Sequence, residues 1–265
     1  MLRLVLTPRW LGYLALTIVF SIVASLFGVW QWDRREQAVA KIEQVENHYD
    51  QPPQNLDELD LETSQAAQDL EWTPVTFSGE YLVEDQVLIR TRPRSGSVGF
   101  EVLVPILISS GEVVIVNRGW VPTGESQDFP DRVPEPPQGL VSVVARVKPP
   151  EPSLTGRSAP PGQLPSIDLV AYQDLLEYPI ASNFYLELIA EDPAPTVSLV
   201  PFMKPIADEG PHLSYTLQWF VFALMAIVAY GWLLRSEYRQ SLGVEPRSPR
   251  ARSDADEEDA LLDAR

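Results

Sequence analysis

Two stretches without a single charged residue bound what this chain can fold into. From Leu11 to Trp32 (LGYLALTIVFSIVASLFGVWQW) and from Leu213 to Leu234 (LSYTLQWFVFALMAIVAYGWLL) there is no Asp, Glu, Lys or Arg. At about 1.5 Å per residue, a helix over either run reaches across the roughly 30 Å hydrocarbon core of a bilayer. Both runs predict transmembrane helices. Trp10, Trp30 and Trp32 flank the first, and Trp219 and Trp232 lie near the ends of the second, where aromatic rings favour the membrane–water boundary. For the first run the alternative is a cleaved signal peptide. Its apolar stretch is longer than an h-region of roughly 7 to 15 residues, and no Ala-x-Ala-like site closes it, so an uncleaved anchor is expected.

Charge sets the expected orientation. The chain of 265 residues carries a formal net charge of −17, all of it between the two apolar runs: Gln31 to His212 contains 12 basic and 29 acidic residues. Arg3, Arg9, Arg235 and Arg239 lie outside the runs and compete with Arg34, Arg35 and Lys41 inside the loop, which favours both termini in the cytoplasm and a large extracytoplasmic loop. The acidic balance argues against a nucleic-acid partner. With no cysteine, disulfides, thiolate metal sites, iron–sulfur clusters and a cysteine nucleophile are all excluded.

Periodicity divides the loop. DRREQAVAKIEQVENHYDQ after the first run is rich in helix formers and continues the helix outward. The following PPQNLDELDLETSQAAQDLEW reads as an acidic surface insertion with a helical turn or two. From Trp72 the pattern changes to short β-branched runs: WTPVTFSGEYL, DQVLIRTR, GFEVLVPILI, EVVIVNRGWVP, LVSVVARVK and NFYLELIAED. ILISSGEVVIV predicts a hairpin turning at Ser109, Ser110 and Gly111, and IDLVAYQDLLEY a short helix. Proline-rich pieces between these runs predict stiff, solvated loops. The expected fold class is therefore an α+β membrane protein: two transmembrane helices flanking an antiparallel β-rich domain, a small barrel or a sandwich. The expected organisation is a cytoplasmic N-terminus (1–10), a first transmembrane helix (11–32), a helical extension with acidic insertion (33–71), the β-rich domain (72–211), a second transmembrane helix (212–234) and a disordered cytoplasmic tail (235–265).

Enzyme signatures are sparse. Gly-x-Ser-x-Gly, the phosphate-binding Gly-x-x-x-x-Gly-Lys and His-Glu-x-x-His do not occur, and a carboxylate pair such as Glu101 with Glu112 is one that an acidic surface supplies by chance. No catalytic residue is assigned. Two motifs stand out instead. In VIVNRGWVP, Gly119 suits a bulge, Trp120 a core position, Asn117 the capping of loose backbone groups and Arg118 an ion pair; a second reading makes Arg118 an anion clamp, for instance for a propionate. In PHLSYTLQWF, a helix places His212, Tyr215 or Thr216, and Trp219 on one face. That face suits either an axial haem ligand with aromatic walls or an ordinary boundary between water and membrane. His48 has no comparable aromatic company.

GVWQWDRR at the end of the first apolar run, VNRGWVP in the strand region and HLSYTLQWF at the second run, in this order, resemble the Surfeit locus protein family, the assembly factors of cytochrome c oxidase. The resemblance spans the whole chain. It implies a non-enzymatic membrane helper in maturing the catalytic subunit of a haem-copper, aa3-type oxidase, including insertion of haem a. It implies His212 as the haem ligand, with Tyr215 and Trp219 as walls, and matches Trp30, Gln31 and Arg34, and Asn117, Arg118, Gly119 and Trp120, to family motifs. Implied partners are oxidase subunits, the respiratory supercomplex and the lipid bilayer. With no organelle-targeting segment before the first helix, a bacterial plasma membrane is expected. Pro211 departs from the asparagine that often precedes the family's His-Leu. The alternative reading is a stably bound accessory subunit of the oxidase or supercomplex that binds no haem.

Overall fold

The computed structural model describes residues 2–125 and 128–243. In chain order its elements are α1 (Leu2–Val5), α2 (Pro8–His48), β1 (Gln54–Asn55), α3 (Ser64–Asp69), β2 (Pro74–Tyr81), β3 (Val87–Arg94), β4 (Ser97–Ile108), β5 (Val113–Pro122), β6 (Leu140–Lys148), β7 (Gln163–Leu164), α4 (Leu169–Gln173), β8 (Tyr185–Asp192) and α5 (His212–Ser241). The tail expected to be disordered lies, from residue 244 onward, outside the described residues. Two compact units result: residues up to Val39 together with those from Glu209 onward, and Ala40–Asp208.

In the first unit α2 and α5 pack antiparallel. Both are long and apolar enough to cross a bilayer. Their apolar side chains mostly face outward: Leu16, Leu26, Leu224 and Val228 are each about 60% exposed or more. The expected extension beyond residue 32 is realised as one uninterrupted helix to His48.

In the second unit the strands form a sheet ordered β1-β2-β6-β8-β5-β4-β3-β7, and a further pairing of β2 with β4 closes five of them into a small barrel. β4 can serve three neighbours because it is long: Ser97–Leu103 pairs with β3, and Ile106–Ile108 with β2. The expected hairpin joins β4 and β5, with Gly111 donating its backbone N–H to Ile108. Antiparallel pairing is not complete. β8 lies parallel to β5, pairing Val116 with Leu186 and Asn117 with Glu187, because the chain must cross from β6 past α4 before returning.

Strand alternation builds two cores. Val75, Val104, Val114, Val116, Val143 and Leu186 turn into the barrel, while Ile89, Leu103, Ile115 and Tyr185 turn outward and are covered by Ile167, Leu169 and Tyr172 around α4. Asp168 caps α4, its Oδ1 accepting from the N–H groups of Val170 and Ala171 at 3.1 Å each. The acidic insertion is more than surface decoration. Its polar residues face water, but Leu56, Leu61 and Ala67 are buried in the barrel's core, and Gln54 and Asn55 add to the edge of β2. The short apolar periodicity inside an acidic background hides this contribution.

Candidate functional site

The first unit is organised by one seam on α2. Ser21, Ala24, Gly28, Gln31 and Arg35 recur at alternating spacings of three and four, so they share one face of α2. Ser21 Oγ donates to the carbonyl of Ala223 at 3.3 Å. Ala24 is fully buried. Gly28 leaves room for the ring of Phe220, and Arg35 Nη2 pairs with Glu209 Oε2 at 2.8 Å. Between these, Gln31 Oε1 meets Nδ1 of His212 at 2.9 Å. Hydropathy does not reveal this seam. The signal available in the sequence is the small-residue spacing Ser21, Ala24, Gly28, of the kind that lets helices approach closely.

His212 is the first residue of α5, and its side chain is half-buried. Pro211 does not disturb it. The proline stands at the cap with φ −82° and ψ 15°, and its carbonyl accepts from the backbone N–H of Tyr215 at 3.2 Å and from Ser214 Oγ at 2.7 Å. A proline that has no N–H to lose is well suited to a helix start. One turn on, Thr216 is buried and donates its hydroxyl to the carbonyl of His212 at 2.9 Å. Of the two residues that spacing could place beside the histidine, Thr216 faces α2, whereas Tyr215 is 46% exposed on the flank. Trp219 stacks on Phe27 with ring centroids 4.9 Å apart and meets Phe222 edge-on at 5.9 Å.

Trp30 and Arg34, matched to a family motif with Gln31, turn away from the seam. Trp30 points outward beneath the guanidinium of Arg34, which stands 5.7 Å from the ring centroid, and Arg34 also donates to Gln37. His48 belongs to the second unit, where its Nδ1 lies 2.8 Å from the carbonyl oxygen of Glu71.

Asn117, Arg118, Gly119 and Trp120 form a bulge in the second unit. β4 and β5 shift register there, with Glu101 opposite Trp120 and Leu103 opposite Asn117. Asn117 Nδ2 donates to Glu101 Oε2 at 2.8 Å. Arg118 is buried and already engaged: its guanidinium donates to Glu191 at 2.8 Å and to the carbonyl of Pro134 at 3.0 Å, and lies over Tyr81, whose hydroxyl also donates to Glu191. Gly119 has φ +136°, and a Cβ there would stand 2.9 Å from both Leu199 and the carbonyl of Val200. Trp120 donates Nε1–H to the carbonyl of Arg92 at 2.8 Å and pairs through its backbone with Val200. The motif therefore locks the segment around Val200 onto the barrel. Glu112 stands in the β4–β5 turn, about 20 Å along the strand from Glu101, so the two carboxylates form no pair.

The outer face of the barrel holds a separate buried carboxylate. Glu187 sits between Asn117 of β5 and Arg146 of β6, and burial pushes its carboxyl up to about 7 against the opposing pull of Lys148 and Arg146. Arg146 in turn lies 3.5 Å from the centroid of Tyr49, and Lys148 lies 3.4 Å from that of Trp72 while pairing with Glu71.

Among the described residues no group of three or more His, Cys, Asp or Glu side chains could hold a bare metal ion. A lone half-buried imidazole with one nitrogen engaged can give a metal a single ligand through its other nitrogen.

Comparison with known proteins supplies the context. The sequence model of the SURF1 family matches residues 18–224. An uncharacterized SURF1-like protein of Mycobacterium bovis is 30% identical over 94% of this chain and 92% of its own length. A SURF1-like protein of Caenorhabditis elegans is 26% identical over 84% of this chain and 74% of its own. The cytochrome oxidase assembly protein SHY1 of Saccharomyces cerevisiae is 25% identical over 52% of this chain and 36% of its own.

Proposed function

Because the chain belongs to the SURF1 family, we propose that it is a membrane-anchored, non-enzymatic assembly factor for a haem-copper cytochrome c oxidase, assisting haem a insertion or stabilising the catalytic subunit while haem is placed. A family relative is named for cytochrome oxidase assembly. The outward apolar surfaces of α2 and α5 support a bilayer setting, since so much exposed Leu, Val and Phe has no other favourable solvent. In this reading both termini face the cytoplasm of a bacterium, the barrel lies on the outer side of its plasma membrane, and the partners are oxidase subunits.

One observation carries the haem part: a half-buried imidazole, His212, opens a helix long enough to cross a bilayer. His212 would hold haem a through a ring nitrogen, and the group's iron would serve electron transfer and oxygen chemistry in the finished oxidase. Tyr215, exposed on the same turn, and Trp219, stacked on Phe27, would be walls of the pocket.

The test is spectroscopic. The chain is produced in a host that makes haem a, purified in detergent, and its absorption spectrum recorded beside that of His212→Ala. The expected result is haem a in the first and a large loss in the second. A wild-type protein without haem sinks the ligand role. Purification at fixed stoichiometry with active oxidase, again without haem, would establish instead an accessory subunit of the oxidase or supercomplex.

A further inference from the structure

We infer that Gln31 is a positioning residue that makes His212 a donor through Nε2, and that Gly210 keeps that nitrogen accessible. The amide oxygen of Gln31 stands 2.9 Å from Nδ1 of the histidine. A carbonyl-type oxygen only accepts, so the proton of the neutral ring resides on Nδ1 and the free lone pair on Nε2. With Nδ1 engaged by Gln31, Nε2 is the ring nitrogen that remains to act as a donor. Gly210 borders that edge of the ring: a Cβ there would stand 3.4 Å from both Nε2 and Cδ2, in contact with the atom that must remain accessible. Its φ of +66° is one that L side chains rarely adopt, so the backbone itself favours glycine here.

Two further contacts fix this arrangement. Glu209, next to the glycine, is tied to Arg35 at 2.8 Å, one turn beyond Gln31 on α2. On the other side, the cap at Pro211 starts α5. The seam that seats Phe220 on Gly28 therefore also aims the imidazole. Fixing one ring nitrogen by a hydrogen bond is how proteins commonly orient the other toward a metal. The inference rests on the haem reading for the identity of the metal group alone, because the proton's position is a property of the unloaded protein.

The experiment uses the full chain, labelled with 15N-histidine in detergent micelles, at a pH where imidazole is neutral. The His212 signals are assigned by their loss in His212→Ala. The expected result is a proton on Nδ1 and none on Nε2, retained in Gln31→Glu, which keeps an acceptor, and redistributed toward Nε2 in Gln31→Leu. Gly210→Val should leave the proton on Nδ1. Titration with ferric haem b as the probe should then show roughly 10- to 100-fold weaker binding in Gln31→Leu, near wild-type binding in Gln31→Glu, and weaker binding in Gly210→Val, whose side chain crowds Nε2. A proton on Nε2 in the wild type overturns the inference. So does undiminished haem affinity in both Gln31→Leu and Gly210→Val. A wild type with the Nδ1 proton in place that takes up no haem supports the positioning and sinks the haem reading, so the two failures are distinct.

Discussion

Phe220 of α5 lies across Gly28 of α2, its ring atom Cζ 2.9 Å from where a Cβ at position 28 would stand. The aromatic ring thus occupies the space of the missing side chain, and the helices approach closely just three residues before Gln31. Gly28→Leu should force them apart, at an overpacking cost of about 1–3 kcal/mol, and loosen the Gln31–His212 hydrogen bond. The check is thermal unfolding in detergent, together with the histidine proton position. An unchanged melting temperature and unchanged tautomer would show that the seam does not depend on this contact.

Leu56, in the acidic insertion, is 5% exposed within the barrel's core cluster. Leu56→Ala is expected to destabilise the second unit by about 2–5 kcal/mol, as a core truncation does. Urea unfolding followed by tryptophan fluorescence measures this. An effect below about 0.5 kcal/mol would return the insertion to the status of surface decoration.

Arg118 and Glu191 form a buried pair, their side chains 1% and 4% exposed. Arg118→Leu leaves the carboxylate buried beside Tyr81, and about 3–5 kcal/mol of stability should be lost. Replacing both with leucine should recover much of it. Stability of the single and double variants in urea decides the matter, and equal losses in both would mean that the arginine acts otherwise than by neutralising Glu191.

Glu187 predicts a pH dependence. Burial raises its carboxyl from 4.5 to about 7 in the folded chain, so folding favours the protonated form. Its contribution to stability is fully present below about pH 4.5 and is lost as pH rises through about 7, amounting to about 3 kcal/mol over the window. Glu101 is also raised by burial, so the wild-type curve alone mixes two groups. The difference between wild type and Glu187→Gln isolates one. The variant should be the more stable at pH 8, and a difference that stays constant from pH 5 to pH 8 would refute the assignment.

Six of the strands, β2 to β6 and β8, are legible in the sequence because each is a short run rich in β-branched residues set off by glycine, proline or serine, and those turn signals are local; β7, two residues in a proline-rich stretch, is not. The parallel return of β8 beside β5 is not legible, since no short-range feature says which strand a distant segment will join. The same holds for the insertion: Leu56, Leu61 and Ala67 are too few and too widely spaced in an acidic stretch to announce a core. In VNRGWVP the residue types suit a bulge at Gly119 and a capping asparagine, and they leave Arg118 open between an ion pair and an anion clamp. That Arg118 is consumed by Glu191 and Pro134 depends on segments far along the chain.

Composition and hydropathy by themselves determined that this chain carries two helices of membrane-spanning length around a β-rich domain, because uncharged length and strand alternation are properties of consecutive residues. They also placed His212 at the start of the second helix. Only the tertiary structure decided what surrounds that histidine. Gln31 lies 181 positions away, and it reaches Nδ1 because small residues on α2 let α5 pack closely enough for one amide and one imidazole to meet at 2.9 Å.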